Sequence, residues 1–302
     1  ISTKGVKEGD FTMIYGFPGN TQEYILSDAV DYIVHRSDPM KIRIRTERLD
    51  RINAAQEKDP AMRIMYAAIN AGISNAWKKW QGEALGLTRL NTVASKQEYE
   101  RAFQAWAQDK PEYRDVLKEL KAEYARIFDA YFALELMSET IRTGELNRIY
   151  NRPSFGDEIY PQVGGYRYAD GVYHKPYTTV EGILEKDNPE IYDYNIPQRL
   201  RDIIAAKDYG RWGVEIDGRT TVPVCFLADN HTTGGNSGSP VLNGRGELIG
   251  VNFDRTWLST MSDIAFDPAF CRNIALDIRY VLFVIDRIGD ASYLFEEMDF
   301  AE

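Results

Sequence analysis

The hydrophobic residues of the chain follow two different periods. Near both ends, short apolar runs bounded by glycine, proline or polar residues indicate β-strands. The predicted strands are Val6–Pro18, Tyr24–His35 as its hairpin partner, Thr221–Leu227, Leu248–Phe253 and Ile274–Asp277.

From Lys41 to about Tyr150 the apolar residues recur at helical spacing, and Arg and Glu occupy the other faces. Pro60 and Pro111 stand where helices would begin. The clearest apolar stripe is interpreted as helical core rather than as a cofactor pocket. It consists of Leu117, Leu120, Tyr124, Ile127, Phe128, Tyr131 and Leu134.

The second half begins with less regular sequence. We predict a loop over Asn151–Gly165, an irregular tyrosine-rich stretch over Tyr166–Pro189, a short helix over Pro197–Lys207 and a terminal helix over Arg279–Ile288. The pattern therefore predicts an α+β fold in three segments. Residues 1–38 open a β-domain, residues 39–152 form an inserted helical domain, and residues 153–302 complete the β-domain.

Composition narrows the class of protein. The 302 residues are 44% hydrophobic and 27% charged, as in ordinary globular proteins, and the net charge of −10 argues against nucleic acid as a partner. No segment is apolar for long enough to cross a bilayer. Ile1 follows no initiator methionine or signal peptide, so we expect a processed or trimmed chain. Two cysteines, Cys225 and Cys271, allow one disulfide at most and no cysteine-rich metal site, and no cofactor is expected.

The stretch Ala228–Trp257 carries the candidate chemistry. Its G-G-N-S-G-S-P turn lies between predicted strands, as around the nucleophile of a chymotrypsin-type serine protease. Gly235 would let its own N–H and that of Ser237 point into one oxyanion hole, and Ser237 would attack. The alternative is a glycine-rich surface turn. With this motif, the β-domain becomes the second barrel of a chymotrypsin-like pair.

A serine hydroxyl needs a base to take its proton, and only three histidines are present. His231 lies six residues before Ser237, but in this architecture the base comes from the first barrel. His35 and His174 are weaker candidates still. We therefore expect the base and its carboxylate to lie on polypeptide absent from this chain, which should be inactive alone.

Several long motifs resemble one known family. They are the serine stretch up to Trp257, K-E-G-D-F-T-M-I-Y-G-F-P-G at the start and I-S-N-A-W-K-K-W in the helical segment. Together they are similar to the bacterial dipeptidyl peptidases of serine-peptidase family forty-six. The resemblance implies a chymotrypsin-like double barrel with an inserted helical domain, a location in the periplasm or at the cell surface, a homodimer, and oligopeptide substrates with free N-termini.

The resemblance also implies roles for single residues. Ser237 matches the nucleophile and Gly235 the oxyanion-hole glycine, while Asp254 and Asn75 match residues that bind the substrate's free amine. Arg255 stands where the members specific for Asp or Glu carry arginine. A guanidinium can hold a carboxylate through two parallel hydrogen bonds. From the residues alone, Asp254 and Arg255 could equally form a surface ion pair at a strand end.

The chain departs from the family in two respects. The motifs that carry the catalytic His and Asp are absent, and the helical block is shorter, with a strand missing near Ile159–Gly165. Two other functions stay open. One is a non-catalytic module that binds acidic peptides. The other is an endopeptidase of the high-temperature-requirement type, which the G-D-F-T-M-I-Y-G-F-P-G segment also resembles.

Overall fold

A computed structural model describes residues 1–142 and 167–301, apart from the side chains of residues 141, 142, 167–177 and 193. The described residues fall into two compact units. The barrel unit takes its residues from Ile1–Asn20, Gly164–Thr256 and Asp267–Glu302, and the helical unit takes its residues from Thr21–Val163 and Trp257–Phe266. The chain therefore mixes helix and antiparallel sheet, as predicted.

Six antiparallel strands build the barrel unit. In chain order they are β1 (Phe11–Gly16), β2 (Arg167–Thr179), β5 (Pro223–Ala228), β6 (Ser239–Asn243), β7 (Leu248–Arg255) and β8 (Asn273–Asp277). They pair in the order β1-β2-β5-β8-β7-β6, and β6 returns to β1, which closes the barrel. A separate hairpin joins β3 (Val214–Ile216) to β4 (Arg219–Thr221).

The interior of the barrel explains why these segments are strands. Side chains alternate between the two faces of a strand, so every second residue can enter the core. Five strands each contribute one inward residue that is at most 2% exposed. These residues are Ile14, Phe226, Val241, Ile249 and Ala275.

A second core lies between the barrel and three short helices. The helices are α6 (Val180–Leu184), α7 (Gln198–Ala206) and α8 (Ile278–Phe283). Leu200, Ile203 and Ile204 of α7 are buried together with Leu282 and Phe283 of α8. This packing accounts for the helices predicted over Pro197–Lys207 and Arg279–Ile288, the second of which continues from α8 as the π-helical turn Val284–Ile288.

The helical unit contains five α-helices within residues 21–142. They are α1 (Ser27–Tyr32), α2 (Asp38–Lys58), α3 (Pro60–Arg89), α4 (Thr92–Ala107) and α5 (Val116–Met137). A π-helical turn, Ile33–Ser37, links α1 to α2. Helices α2 and α3 form an antiparallel pair in which Trp77 Nε1 donates to Thr46 Oγ1 at 2.8 Å. As predicted, α3 begins at Pro60, whereas Pro111 precedes the start of α5.

The strand predicted for Tyr24–His35 is wrong, because this segment is helical. Ala29, Val30 and Val34 are buried at spacings that suit a helix as well as a strand. A tertiary contact favours the helix: the Glu100 carboxylate accepts hydrogen bonds from the Ser27 N–H (2.6 Å) and hydroxyl (3.0 Å) at the start of α1. The helical unit accordingly begins at Thr21 rather than at residue 39.

Two other expectations need correction. The stretch predicted to be irregular contains the strand β2, whose register against β5 shifts between His174 and Thr178, where Pro176 lies. The apolar stripe predicted on α5 belongs only partly to the core. The ring centroids of Tyr32 and Phe128 are 4.6 Å apart in a stacked pair, but Tyr131 and Leu134 are at least half exposed. The loop predicted over Asn151–Gly165 and the boundary between residues 152 and 153 lie outside the described residues.

Candidate functional site

The loop between β5 and β6 carries Ser237 at an exposed position. Two glycines flank the serine with left-handed backbone conformations: φ is +101° at Gly235 and +82° at Gly238. Side chains disfavour such angles, so glycine is needed at both positions. The loop therefore presents the Ser237 side chain on a sharp turn.

The residues that follow β1 support this turn from one side. The Gly19 N–H donates to the Gly234 carbonyl oxygen at 2.5 Å, and the Thr233 hydroxyl donates to the Asn20 carbonyl oxygen at 3.3 Å. A Cβ atom added at Gly235 would overlap the Phe17 carbonyl oxygen. Glycine at position 235 is thus required by close packing as well as by its φ.

Strand β7 supports the turn from the other side. The Gly238 N–H donates to the Asn252 carbonyl oxygen at 2.7 Å, and Asn252 Nδ2 donates to the Asn236 carbonyl oxygen at 3.0 Å. Asn273 Nδ2 donates in turn to Asn252 Oδ1 at 3.0 Å. Within the turn, the Thr233 N–H donates to Asn236 Oδ1 at 3.0 Å. Both neighbours of Ser237 are therefore fixed to the barrel.

The Ser237 hydroxyl donates a long hydrogen bond, 3.4 Å, to the Phe253 carbonyl oxygen. His35 lies in the helical unit, where its Nδ1 is 3.0 Å from Asp31 Oδ1. His231 belongs to the loop before the turn, and His174 lies on β2, where side chains are not described. The expectation that the base lies on other polypeptide stays a prediction.

Asp254 and Arg255 end β7 next to the serine turn. The register of β7 against β8 shifts at Phe253, between Asn252 and Asp254, which is a β-bulge that redirects the following side chains. Arg255 Nη1 donates to the Thr232 carbonyl oxygen at 3.0 Å, so the guanidinium lies beside the loop that leads to Ser237. Asp254 is exposed, and its Oδ1 accepts from the Arg255 N–H at 2.8 Å.

The two cysteines lie in the barrel unit as free thiols. Cys271 is 2% exposed, and burial raises the pKa of its thiol, while the charges of Arg255 and Arg272 act in the opposite direction. Burial likewise raises the pKa of the Cys225 thiol. A raised pKa disfavours the thiolate, which is the reactive form of cysteine.

Asn75 lies on α3 of the helical unit and is exposed. Two of its neighbours on the helix contact other parts of the helical unit. The Trp80 ring lies 4.4 Å from the Arg45 guanidinium carbon, and Trp257 Nε1 donates to the Lys78 carbonyl oxygen at 2.9 Å. No helix within the described residues is both long and apolar enough to span a membrane.

Comparison with known proteins identifies the family. A model of the peptidase S46 family matches residues 1–154 and 159–300. The chain belongs to the peptidase S46 family. The resemblance seen in its motifs is thereby confirmed.

Similar proteins include an Asp/Glu-specific dipeptidyl-peptidase from Capnocytophaga gingivalis. It is 30% identical over 462 aligned residues, which cover 99% of this chain and 64% of the relative. A dipeptidyl-peptidase 7 from Phocaeicola vulgatus is 26% identical, with 100% and 64% covered. This chain thus spans just under two thirds of these relatives. Since 462 aligned positions exceed its 302 residues, the first relative also carries internal segments that this chain lacks.

A solved crystal structure has the same fold. The crystal structure of Porphyromonas endodontalis DPP11 with the dipeptide Arg-Asp superposes with a TM-score of 0.87 at 22% identity. The superposition covers 100% of this chain and 66% of that one. At this level of identity, the likeness shows the shared fold alone.

The motif reasoning did not find Asn252, although the sequence contains a signal for it. Leu248–Phe253 is apolar except for this amide, which occupies an inward position of the strand and is 2% exposed. A buried polar side chain needs a hydrogen-bond partner. A lone amide in an apolar strand beside a serine turn therefore indicates support for that turn.

Proposed function

We propose that the protein is a serine dipeptidyl peptidase that releases N-terminal dipeptides with Asp or Glu before the cut. The observation that carries this proposal is the packing of the Ser237 turn against the end of β7. The Ser237 hydroxyl lies 3.4 Å from the Phe253 carbonyl oxygen, and Arg255 follows two residues later, anchored to Thr232. A nucleophile and a cation suited to a carboxylate thus sit on adjoining segments.

In the proposed reaction, the Ser237 oxygen attacks the scissile carbonyl carbon as a base takes the hydroxyl proton. The N–H groups of Gly235 and Ser237 donate to the oxyanion of the tetrahedral intermediate. Its collapse releases the shortened peptide, which leaves with the proton, and water then hydrolyses the acyl-enzyme. The base and its carboxylate lie outside this chain, so the chain alone should be inactive.

The proposed substrate specificity rests on three side chains. Arg255 holds the Asp or Glu side chain before the cut through two parallel hydrogen bonds. Asp254 and Asn75 bind the free α-amine. The fixed distance between this amine site and Ser237 would accommodate two residues, so the released product is a dipeptide. The names of the relatives from Capnocytophaga gingivalis and Flavobacterium psychrophilum, both Asp/Glu-specific dipeptidyl-peptidases, support this choice of substrate.

The proposed fold is the second barrel of a chymotrypsin-like pair with an inserted helical domain. The closed antiparallel barrel and the position of Ser237 on the loop before β6 support this assignment. We further propose a homodimer in the periplasm or at the cell surface, on the basis of family resemblance. Size-exclusion chromatography and cell fractionation of the full-length protein test these two points.

The specificity proposal is tested by Arg255→Gly in the full-length protein that contains this chain. Losing two charge-assisted hydrogen bonds costs about 2–4 kcal/mol, so kcat/KM for Xaa-Asp and Xaa-Glu reporters should fall by about 30- to 1,000-fold. Apolar Xaa-Leu reporters should change by less than about 3-fold. Arg245→Gly is the matched control, because Arg245 pairs with Glu247 on the β6–β7 turn. An unchanged acidic preference in Arg255→Gly would remove Arg255 from its role.

Peptide cleavage assays on the full-length protein distinguish the two alternative functions from a dipeptidyl peptidase. A non-catalytic binding module would bind acidic peptides without cleaving them. An endopeptidase would cleave N-terminally blocked proteins at internal sites. A dipeptidyl peptidase requires the free amine, so acetylation of the reporter's N-terminus should abolish cleavage.

A further inference from the structure

Three buried asparagines form a chain of hydrogen bonds beneath the Ser237 turn. Asn236, Asn252 and Asn273 are 3%, 2% and 1% exposed. They come from three elements: the turn itself, β7 and β8. Most buried amide groups form hydrogen bonds within the protein, and such bonds constrain the geometry of these side chains.

The direction of this chain is determined by its last acceptor. The Asn236 carbonyl oxygen carries no proton, so only the Nδ2 group of Asn252 can face it at 3.0 Å. The Oδ1 atom of Asn252 then faces Asn273, whose Nδ2 must donate to it. Among the described residues, Oδ1 of Asn273 has no hydrogen-bond partner. The chain therefore begins at Asn273 and ends on the backbone next to the serine.

That backbone carbonyl belongs to the same peptide group as the Ser237 N–H. In a planar trans peptide, the C=O and N–H bonds point in opposite directions. Fixing the Asn236 carbonyl oxygen, which also accepts from the Ser239 N–H at 3.1 Å, thus fixes the direction of the Ser237 N–H. The other oxyanion donor is fixed alike, because the Gly234 carbonyl oxygen opposite the Gly235 N–H accepts from the Gly19 N–H.

We propose that Asn252 is a positioning residue: its side chain aims the Ser237 N–H at the developing oxyanion, and Asn273 orients that side chain. This inference rests on the proposed function of Ser237. It assigns the Asn252 side chain a part in the rate of the chemical step rather than in substrate binding.

The backbone of Asn252 makes the inference testable. Its carbonyl oxygen accepts from the Gly238 N–H at 2.7 Å whatever the side chain is. Substituting the side chain therefore keeps one attachment of the turn to β7 and removes the other. Asn252→Leu keeps the number and branching of the side-chain heavy atoms, removes both polar groups and suits an apolar strand.

The experiment measures kcat and KM of the full-length protein on an Xaa-Asp reporter for Asn252→Leu, Asn273→Ala and the double variant. Misaligning an oxyanion donor should lower kcat by about 10- to 100-fold in Asn252→Leu and by about 3- to 10-fold in Asn273→Ala. KM should stay within about 3-fold in both. Because Asn273 acts through Asn252, the double variant should be no slower than Asn252→Leu alone.

Inhibition by a transition-state analogue gives a second measurement of the oxyanion donors. The hemiacetal that an acidic dipeptide aldehyde forms with Ser237 uses the oxyanion donors, whereas the released dipeptide does not need them. The inhibition constant of the aldehyde should therefore rise by the same factor by which kcat/KM falls, while the inhibition constant of the dipeptide should change by less than about 3-fold.

Asn230→Leu is the matched control, since Asn230 is another buried amide of the barrel unit and bonds to Thr12 on β1. It should lower the melting temperature but leave kcat within about 2-fold. An unchanged kcat in Asn252→Leu, additive losses in the double variant, or equal kcat losses in Asn230→Leu would each overturn the inference. Should Asn252→Leu not fold, the kcat and aldehyde measurements on Asn273→Ala decide alone. A wild-type protein that cleaves no reporter would instead refute the proposed function.

Discussion

Gly235 has an unusual backbone conformation, and its N–H is also a proposed oxyanion donor. Its φ of +101° disfavours any side chain, and a Cβ atom would overlap the Phe17 carbonyl oxygen. The turn can relieve this overlap only by moving the Gly235 N–H away from its position. Position 235 therefore tests whether this backbone geometry matters for activity.

Gly235→Ala in the full-length protein should lower kcat by at least about 100-fold, because it displaces a proposed oxyanion donor. Gly244→Ala, in the β6–β7 turn, is the control: its added methyl would meet only an ordinary contact, 3.8 Å from Phe11. Steady-state kinetics and melting temperatures of both variants provide the comparison. Equal activity of the two would show that the Gly235 backbone has no part in catalysis.

Asp38 is an unusual residue at the start of α2, because its carboxyl group is 1% exposed. Burial, assisted by the nearby Glu83 carboxylate, raises its pKa to about 8, although Lys41 and Lys79 act in the opposite direction. Among the described residues, no hydrogen-bond donor reaches its Oδ2 atom. The folded protein thus holds the proton of Asp38 at pH values where the unfolded chain has lost it.

This proton makes stability depend on pH. Between the unfolded pKa near 4 and the folded value of about 8, the folded state binds more protons, so rising pH lowers the free energy of unfolding. The stability that Asp38 contributes is fully present below pH 4 and is lost as the pH rises to about 8. Asp38→Asn should remove this dependence.

The measurement is the difference in the free energy of unfolding between wild type and Asp38→Asn, from urea titrations at pH 5 to 9. The variant should gain on the wild type by up to about 1.4 kcal/mol per pH unit up to pH 8, with no further change above it. A difference that is constant across this range would contradict the assignment.

At the scale of elements, the packing of α3 within the helical unit depends on two glycines. Gly82 and Gly86 lie one turn apart on the same face of the helix. A Cβ atom at Gly82 would overlap the Trp257 carbonyl oxygen, and one at Gly86 would crowd Met261. Helix α3 can therefore approach the segment Trp257–Asp263 only where it lacks side chains.

Gly82→Ala should lower the free energy of unfolding by about 1–3 kcal/mol, the usual effect of overpacking. Gly72→Ala, on the same helix, would meet no atom within 4 Å and should raise it by about 0.5–1 kcal/mol through helix propensity. Urea unfolding of both variants measures the difference. Stabilisation by Gly82→Ala would show that α3 does not pack closely at this position.

Four of the strands could be predicted from the sequence. β1, β5, β7 and β8 follow from alternating burial, because each places one face in the barrel interior. Local pattern could not distinguish helix from strand in Tyr24–His35, where the cap that Ser27 receives comes from Glu100. It also could not show which face of α5 would find a partner. Such tertiary contacts leave no local signal.

For the candidate site, the sequence predicted the Ser237 turn but not the hydrogen bonds that hold this turn in place. Ser237, Gly235, Asp254 and Arg255 were all named from motifs, and the structure places them in adjoining segments of one barrel unit. The roles assigned to them stay predictions. Residues 17–20, which contact the turn, lie more than 200 residues before it in the sequence, and Asn252 lies about 15 residues after it. No sequence motif predicts these contacts.

At the scale of the whole molecule, the chain corresponds to only part of its named relatives. The alignment covers 64% of the relative from Capnocytophaga gingivalis, and the hydrogen bond of the Ser237 hydroxyl in this structure goes to the Phe253 carbonyl oxygen. That the catalytic base lies outside this chain stays a prediction. Only the full-length protein can test the combination.

The most direct test is covalent labelling of the full-length protein. The probe is a dipeptidyl phosphonate with a free N-terminus and an acidic side chain next to phosphorus. Mass spectrometry of the digested protein should place one label on Ser237, and an N-acetylated probe should give none. Hydrolysis of acidic dipeptide reporters with the label on another residue, or with no label on Ser237, would contradict the central claim.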